Sequence, residues 1–151
     1  MSRWIVAGLI ALIACQENHP AQVIRLDDAH NAMSPATANG VPNYSVRSDA
    51  AYVLDASTYA LHAPKGAPAA AQKANYVNVA SPSGMYAFNW PAGANRVTLD
   101  SSHATPLGTS PPFGGFKSGE SVIVMVGYSE PGSSSDKLSV VPFWLGRVSV
   151  E

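Results

Sequence analysis

The sequence predicts an all-β domain. The expected form is a single sandwich or barrel, jelly-roll or immunoglobulin-like, with long Gly/Pro/Ser loops and a short hydrophobic segment in front. Three observations predict it. Short runs of β-branched and aromatic residues recur after residue 50, with turn signals every ~8–12 residues. No stretch after residue 15 carries the 3.6-residue apolar period of a helix of any length. The charged fraction is 13%, about half the usual ~25%, and Ala, Ser, Gly, Pro, Asn and Thr fill its place.

A chain of 151 residues suits one domain large enough to bury its own core. Its divisions read as a hydrophobic segment at 1–15, a polar tether at 16–22 and a β-rich domain over 23–151. In order, Val23–Leu26 is a short apolar stretch. Asp27–Met33 reads as a helical turn or loop, and Ser34–Tyr44, with its Pro, Gly and Asn, as a loop. Ala50–Leu54 and Thr58–Leu61 are expected strands joined by a turn at Asp55–Ser57. Ala63–Ala74 is a low-complexity surface loop with one helical turn at Ala69–Ala74. Tyr76–Val79 alternates around Asn78, and Met85–Trp90 alternates large with small residues, with turn chemistry at Pro82–Gly84 between them. Arg96–Leu99 is a short strand and Thr105–Gly119 a long loop. Glu120–Tyr128 is apolar on both faces at its centre, which places it in the middle of a sheet. A turn at Glu130–Asp136 leads to Lys137–Val141 and Phe143–Val150, with Pro142 between them marking a bulge or an edge.

The first fifteen residues carry their own signal. Arg3 precedes Trp4–Ala14, an uncharged apolar run too short for the ~20 residues of a membrane-spanning helix. A positive charge, a short apolar run and small residues at its end form the pattern of a signal peptide. The closing Leu12-Ile13-Ala14-Cys15 resembles the lipobox of bacterial lipoproteins. The resemblance covers residues 1–15 and implies cleavage before Cys15 and diacylglyceration of its sulfur. Gln16–Gln22 then reads as the polar tether behind a lipidated Cys. A plain signal peptide, an uncleaved anchor and a buried apolar segment are the other readings of this stretch.

Composition excludes several roles. Nine Lys and Arg oppose ten Asp and Glu, and the cations are scattered, so there is no basic run of the kind phosphate recognition demands. No nucleic-acid partner is expected. Cys15 is the single cysteine, so neither an internal disulfide nor a cysteine-based zinc site is expected. His19, His30, His62 and His103 show none of the short spacings of compact histidine metal motifs. No metal or cofactor is expected.

Asp27-Asp28-Ala29-His30 and Asp100-Ser101-Ser102-His103 each place a carboxylate near an imidazole, the raw material of acid–base chemistry. Asp49, Asp55, Asp100 and Glu120 are the carboxylates from which a glycosidase pair would have to come. Ser129 lacks the second Gly of a nucleophile elbow. Gly114–Gly119 lacks the Gly-Lys-Ser/Thr order of a phosphate loop. The loop Pro111–Lys117 places Phe113, Phe116 and Lys117 where they would form a partner-contact surface, or where both rings would tuck beneath the loop. Tyr76, Tyr86 and Trp90 are a candidate aromatic platform for sugar rings, or core.

The leading expectation is a non-catalytic, exported domain, periplasmic or on the cell surface. Cys15 would anchor it to a membrane, and it would serve as a binding or accessory subunit among other proteins or copies of itself. A structural subunit of a virion or surface filament with a retained apolar N-terminus is the alternative. A small secreted hydrolase or sugar-binding module is the second.

Overall fold

A computed structural model describes residues 20–34, 44–132 and 139–151. The hydrophobic segment with Cys15, the tether up to residue 19, most of the Ser34–Tyr44 loop, and the region 133–138 expected to hold a turn and the start of a strand lie outside the described residues.

Two mixed sheets pack face to face as a β-sandwich and do not close into a barrel. The smaller has the order β1–β3–β6, from Gln22–Arg25, Tyr52–Asp55 and Arg96–Leu99. The larger has the order β2–β9–β8–β4–β5–β7. Its strands are Tyr44–Val46 (β2), Tyr76–Ser81 (β4), Gly84–Asn89 (β5), Thr105–Pro106 (β7), Ser121–Ser129 (β8) and Val140–Val150 (β9). Parallel pairs occur at one edge of each sheet, β1 with β3 and β2 with β9; the other pairs are antiparallel.

Period-two alternation builds the core. Val77 and Val79 of β4, Tyr86 and Phe88 of β5, and Val122, Val124 and Val126 of β8 turn inward. They meet Ile24, Tyr52, Leu54, Val97 and Leu99 from the smaller sheet. Burying each Val, Leu, Ile or Phe contributes about 1.5–3 kcal/mol over exposure. β8 lies between β4 and β9, as its two-sided apolar centre predicts.

The two strands expected on either side of Pro142 are one strand, β9, with a bulge. Val126 stands opposite Trp144 and Gly127 opposite Pro142, so Phe143 is the extra residue. Pro142 has no N–H to give the ladder, and the bulge relieves that demand. Gly127 fits because a Cβ there would lie 2.3 Å from the Val141 carbonyl oxygen. Trp144, fully buried, folds back over Gly146, where a Cβ would lie 2.1 Å from the indole ring.

Three local expectations are corrected. Thr58–Leu61 is not a strand. The Ser57 N–H donates to Asp55 Oδ1 at 2.8 Å and the Tyr59 N–H to the Ala56 carbonyl at 3.1 Å, turning the chain out of the sheet. Tyr44 belongs to a strand rather than a loop, through pairing with the far end of β9. The loop after residue 104 begins as β7, paired to Tyr86 and Ala87. The expected helical turn is a single 3-10 turn at Ala69–Ala71.

Candidate functional site

The loop between β7 and β8 does not present its aromatic rings. Phe113 and Phe116 are 4% and 3% exposed, so the reading of these rings as a partner-contact surface is corrected. Phe116 stacks on Tyr52 with centroids 4.3 Å apart, and Phe113 meets Tyr86, Phe88 and Phe116 edge-on at 5.0, 5.5 and 5.9 Å. Gly115 makes this possible. Its φ of +88° lies in the left-handed region, and a Cβ would fall 2.0 Å from the Asp49 carbonyl oxygen. The Phe116 N–H donates to that same carbonyl, and Ser48 Oγ donates to the Phe116 carbonyl. Lys117 is exposed, and its backbone N–H is held by Glu120 Oε2 at 3.0 Å.

The expected aromatic platform is also corrected, by the pleat. Val79 is opposite Tyr86 and Tyr76 opposite Asn89, so Tyr86 points into the core while Tyr76 is on the outer face. Tyr86 and Trp90 are 3% and 5% exposed. The indole N–H of Trp90 donates to the Ala94 carbonyl at 3.0 Å.

Each carboxylate–histidine pair serves local structure. Asp27 Oδ1 accepts from the His30 backbone N–H and lies 2.7 Å from His30 Nδ1. His30 stacks on Tyr44 at 3.6 Å, and Trp144 Nε1 donates to the Asp27 carbonyl. The stretch after β1 is thereby braced against β2 and β9. Burial pushes the Tyr44 hydroxyl pKa upward, and the neighbouring Asp27 charge acts in the same direction.

Asp100 Oδ1 accepts from the backbone N–H groups of Ser102 and His103 and lies 2.6 Å from His103 Nδ1. Partial burial pushes its carboxyl up, but the bonds from Ser102 and His103 outweigh burial and hold it below its ordinary value. Ser102 Oγ approaches the same ring nitrogen that faces Asp100, at 3.1 Å. A hydrolytic triad needs serine and carboxylate on opposite ring nitrogens, so this is not one.

The remaining carboxylates are also committed. Asp55, fully buried, receives Ser57 and an Arg96 guanidinium N–H at 2.8 Å. Asp49 accepts from the Ala50 N–H, and Glu120 accepts from Ser83 Oγ. Among the described residues no three His, Cys, Asp or Glu side chains gather as a metal site. No helix among them is long and apolar enough to cross a membrane.

Two open grooves flank the β5–β6 turn. One, of about 450 Å³, is walled by Tyr59, Leu61, Lys73, Trp90, Asn95 and Tyr128 among others. The second, of about 490 Å³, is lined by Asn89, Pro91, Arg96, Val97, Thr98, Ser102 and His103. Sequence reasoning named Trp90 and His103 but missed Tyr59, Lys73, Asn95 and Tyr128 as neighbours of Trp90. They come from four separate stretches of chain, and no motif links them.

The fold and its surface define a β-sandwich with shallow ligand-sized grooves at the loop ends of the sheets. Compared with protein-family models, curated proteins and solved structures, the chain matches none.

Proposed function

We propose that the protein is a non-catalytic, lipid-anchored β-domain that works outside the cytoplasm as a binding or accessory subunit of a membrane or surface complex. The carrying observation is the position of the first strand. β1 begins at Gln22, so residues 16–21 alone separate the lipobox-like Cys15 from an edge of the sandwich. Six residues reach at most roughly 20 Å when extended. A lipid on Cys15 would hold the sandwich close to the bilayer surface, and more than one acyl chain would make that attachment firm. The non-catalytic part of the reading is supported by the local commitments of Asp27, Asp55, Asp100 and Glu120 described above.

The test is intact mass of the protein from its native source. A chain starting at Cys15 with added acyl mass is the expected result. An unmodified chain starting at Met1 overturns the anchor and favours the assembled structural subunit.

A further inference from the structure

Part of the main chain in the groove beside Trp90 is already paired. Trp90 N–H donates to the Asn75 carbonyl, Asn75 N–H to Gly127, and Ala56 N–H to Asn95. The Asn75 side chain is closed on the Ser129 backbone at both ends, at 2.9 and 2.8 Å. An incoming peptide therefore cannot add a strand by pairing with these groups. Recognition falls to side chains. Lys73, Asn95 and Tyr128 line the groove, and the Lys73 ammonium, Asn95 amide and Tyr128 hydroxyl engage no other described residue. Among the described residues no Asp or Glu lines it, so the charge that these residues bring to the groove is that of Lys73. Tyr59, Leu61 and the edge of Trp90 add apolar wall. The volume of about 450 Å³ is in the range of small-molecule sites.

We propose that this groove binds a sugar acid, a pyranose ring bearing a carboxylate. The carboxylate pairs with Lys73 in a charge-assisted bond. The ring hydroxyls bond to Asn95 and Tyr128, whose amide and phenol both donate and accept. The apolar face of the ring packs on Tyr59 and Leu61, the half-buried apolar side chains of the wall. This assignment rests on the binding role proposed above and gives it a ligand, but it does not depend on the lipid.

The test is calorimetric titration of the full-length protein in detergent with trigalacturonate, with galactotriose as the neutral counterpart, and with benzoate. Trigalacturonate is expected to bind about tenfold more tightly than galactotriose, the factor a charge-assisted bond supplies. Lys73→Met is expected to remove that preference while leaving thermal unfolding unchanged, since Lys73 is exposed. Tyr128→Phe is expected to weaken both sugars. Absence of binding to trigalacturonate overturns the proposal, as does an equal affinity for the neutral sugar or a preference that survives Lys73→Met. Benzoate binding as tightly as trigalacturonate overturns the sugar half. If the chain from its native source carries no acyl mass but binds trigalacturonate, the anchor falls and the ligand stands.

Discussion

Replacing Phe113 by Ala removes a phenyl ring that sits 4% exposed among Tyr86, Phe88 and Phe116. The lost transfer free energy of a buried Phe is about 1.5–3 kcal/mol. The vacated space, about 100 Å³ before relaxation, adds about 2 kcal/mol at roughly 24 cal/mol per Å³. The ring hangs from a loop, which can settle partly into the space more readily than a central strand can. The expected loss is therefore about 3–4 kcal/mol, a large fraction of the ~5–15 kcal/mol that holds a domain together. Urea unfolding of the parent and the Phe113→Ala variant, followed by far-ultraviolet circular dichroism, reads it directly as a lower midpoint at unchanged slope. Lys117→Ala, four residues along the same loop and exposed, is the control and should change stability by less than about 0.5 kcal/mol. A Phe113→Ala loss below about 1 kcal/mol would refute the packing argument and return the ring to the surface.

Three further outcomes follow from the same packing and charge reasoning. Gly115→Ala should cost more than Gly108→Ala in the same unfolding assay. Both glycines have positive φ, but a Cβ meets the Asp49 backbone at 2.0 Å in the first and nothing within 4 Å in the second. The second should cost about 1–2 kcal/mol of conformational strain, and equal losses would count against the close approach. Gly146→Ala should cost about 1–3 kcal/mol by displacing the Trp144 ring, seen as a red shift of the tryptophan emission. An unshifted spectrum with unchanged stability would argue against it. Asp55 gives the acid response. Its carboxyl is held well below the usual carboxylate range by the Ser57 hydroxyl first, then the Ser57 N–H and the Arg96 guanidinium. The unfolded group titrates near ~3.9, so the folded state binds this proton less readily. The stabilisation is complete above that value and is lost as pH falls below it. Asp55→Asn should flatten the stability profile below about pH 4; an unchanged acid limb would show that Asp55 does not carry it.

The sequence makes some elements plain and hides others for physical reasons. β8 is legible because Val122–Val126 is apolar at every position, which only a strand covered by neighbours can tolerate. Pro142 is legible as a bulge because a residue without an N–H must interrupt the ladder. Thr58–Leu61 reads as a strand by its alternation, yet Asp55 accepts the Ser57 N–H and turns the chain away. Alternation reports a half-buried side chain, and Tyr59 and Leu61 are half-buried without being in a sheet. The composition of Pro111–Lys117 says that the loop is irregular, but not which way its rings point. That depends on Gly115 lying against Asp49, a contact between residues far apart in sequence. The groove residues share no spacing at all, because separate loops and the end of β8 supply them.

The pairing of β2 with β9 sets an order of events for the chain as it is made. Tyr44–Val46 finds its partner at Val148–Val150, and the Glu151 N–H closes on the Val46 carbonyl at 2.8 Å. β8 and β9, the central strands against which β2 and β4 pair, both lie beyond residue 120. Until those residues have left the ribosome the larger sheet lacks its centre, and the smaller sheet, whose three strands all lie before residue 100, has no partner sheet to pack against; such long-range pairing is slow in any case. The core that the two sheets share thus cannot close until nearly all of the chain from β1 to β9 has been made.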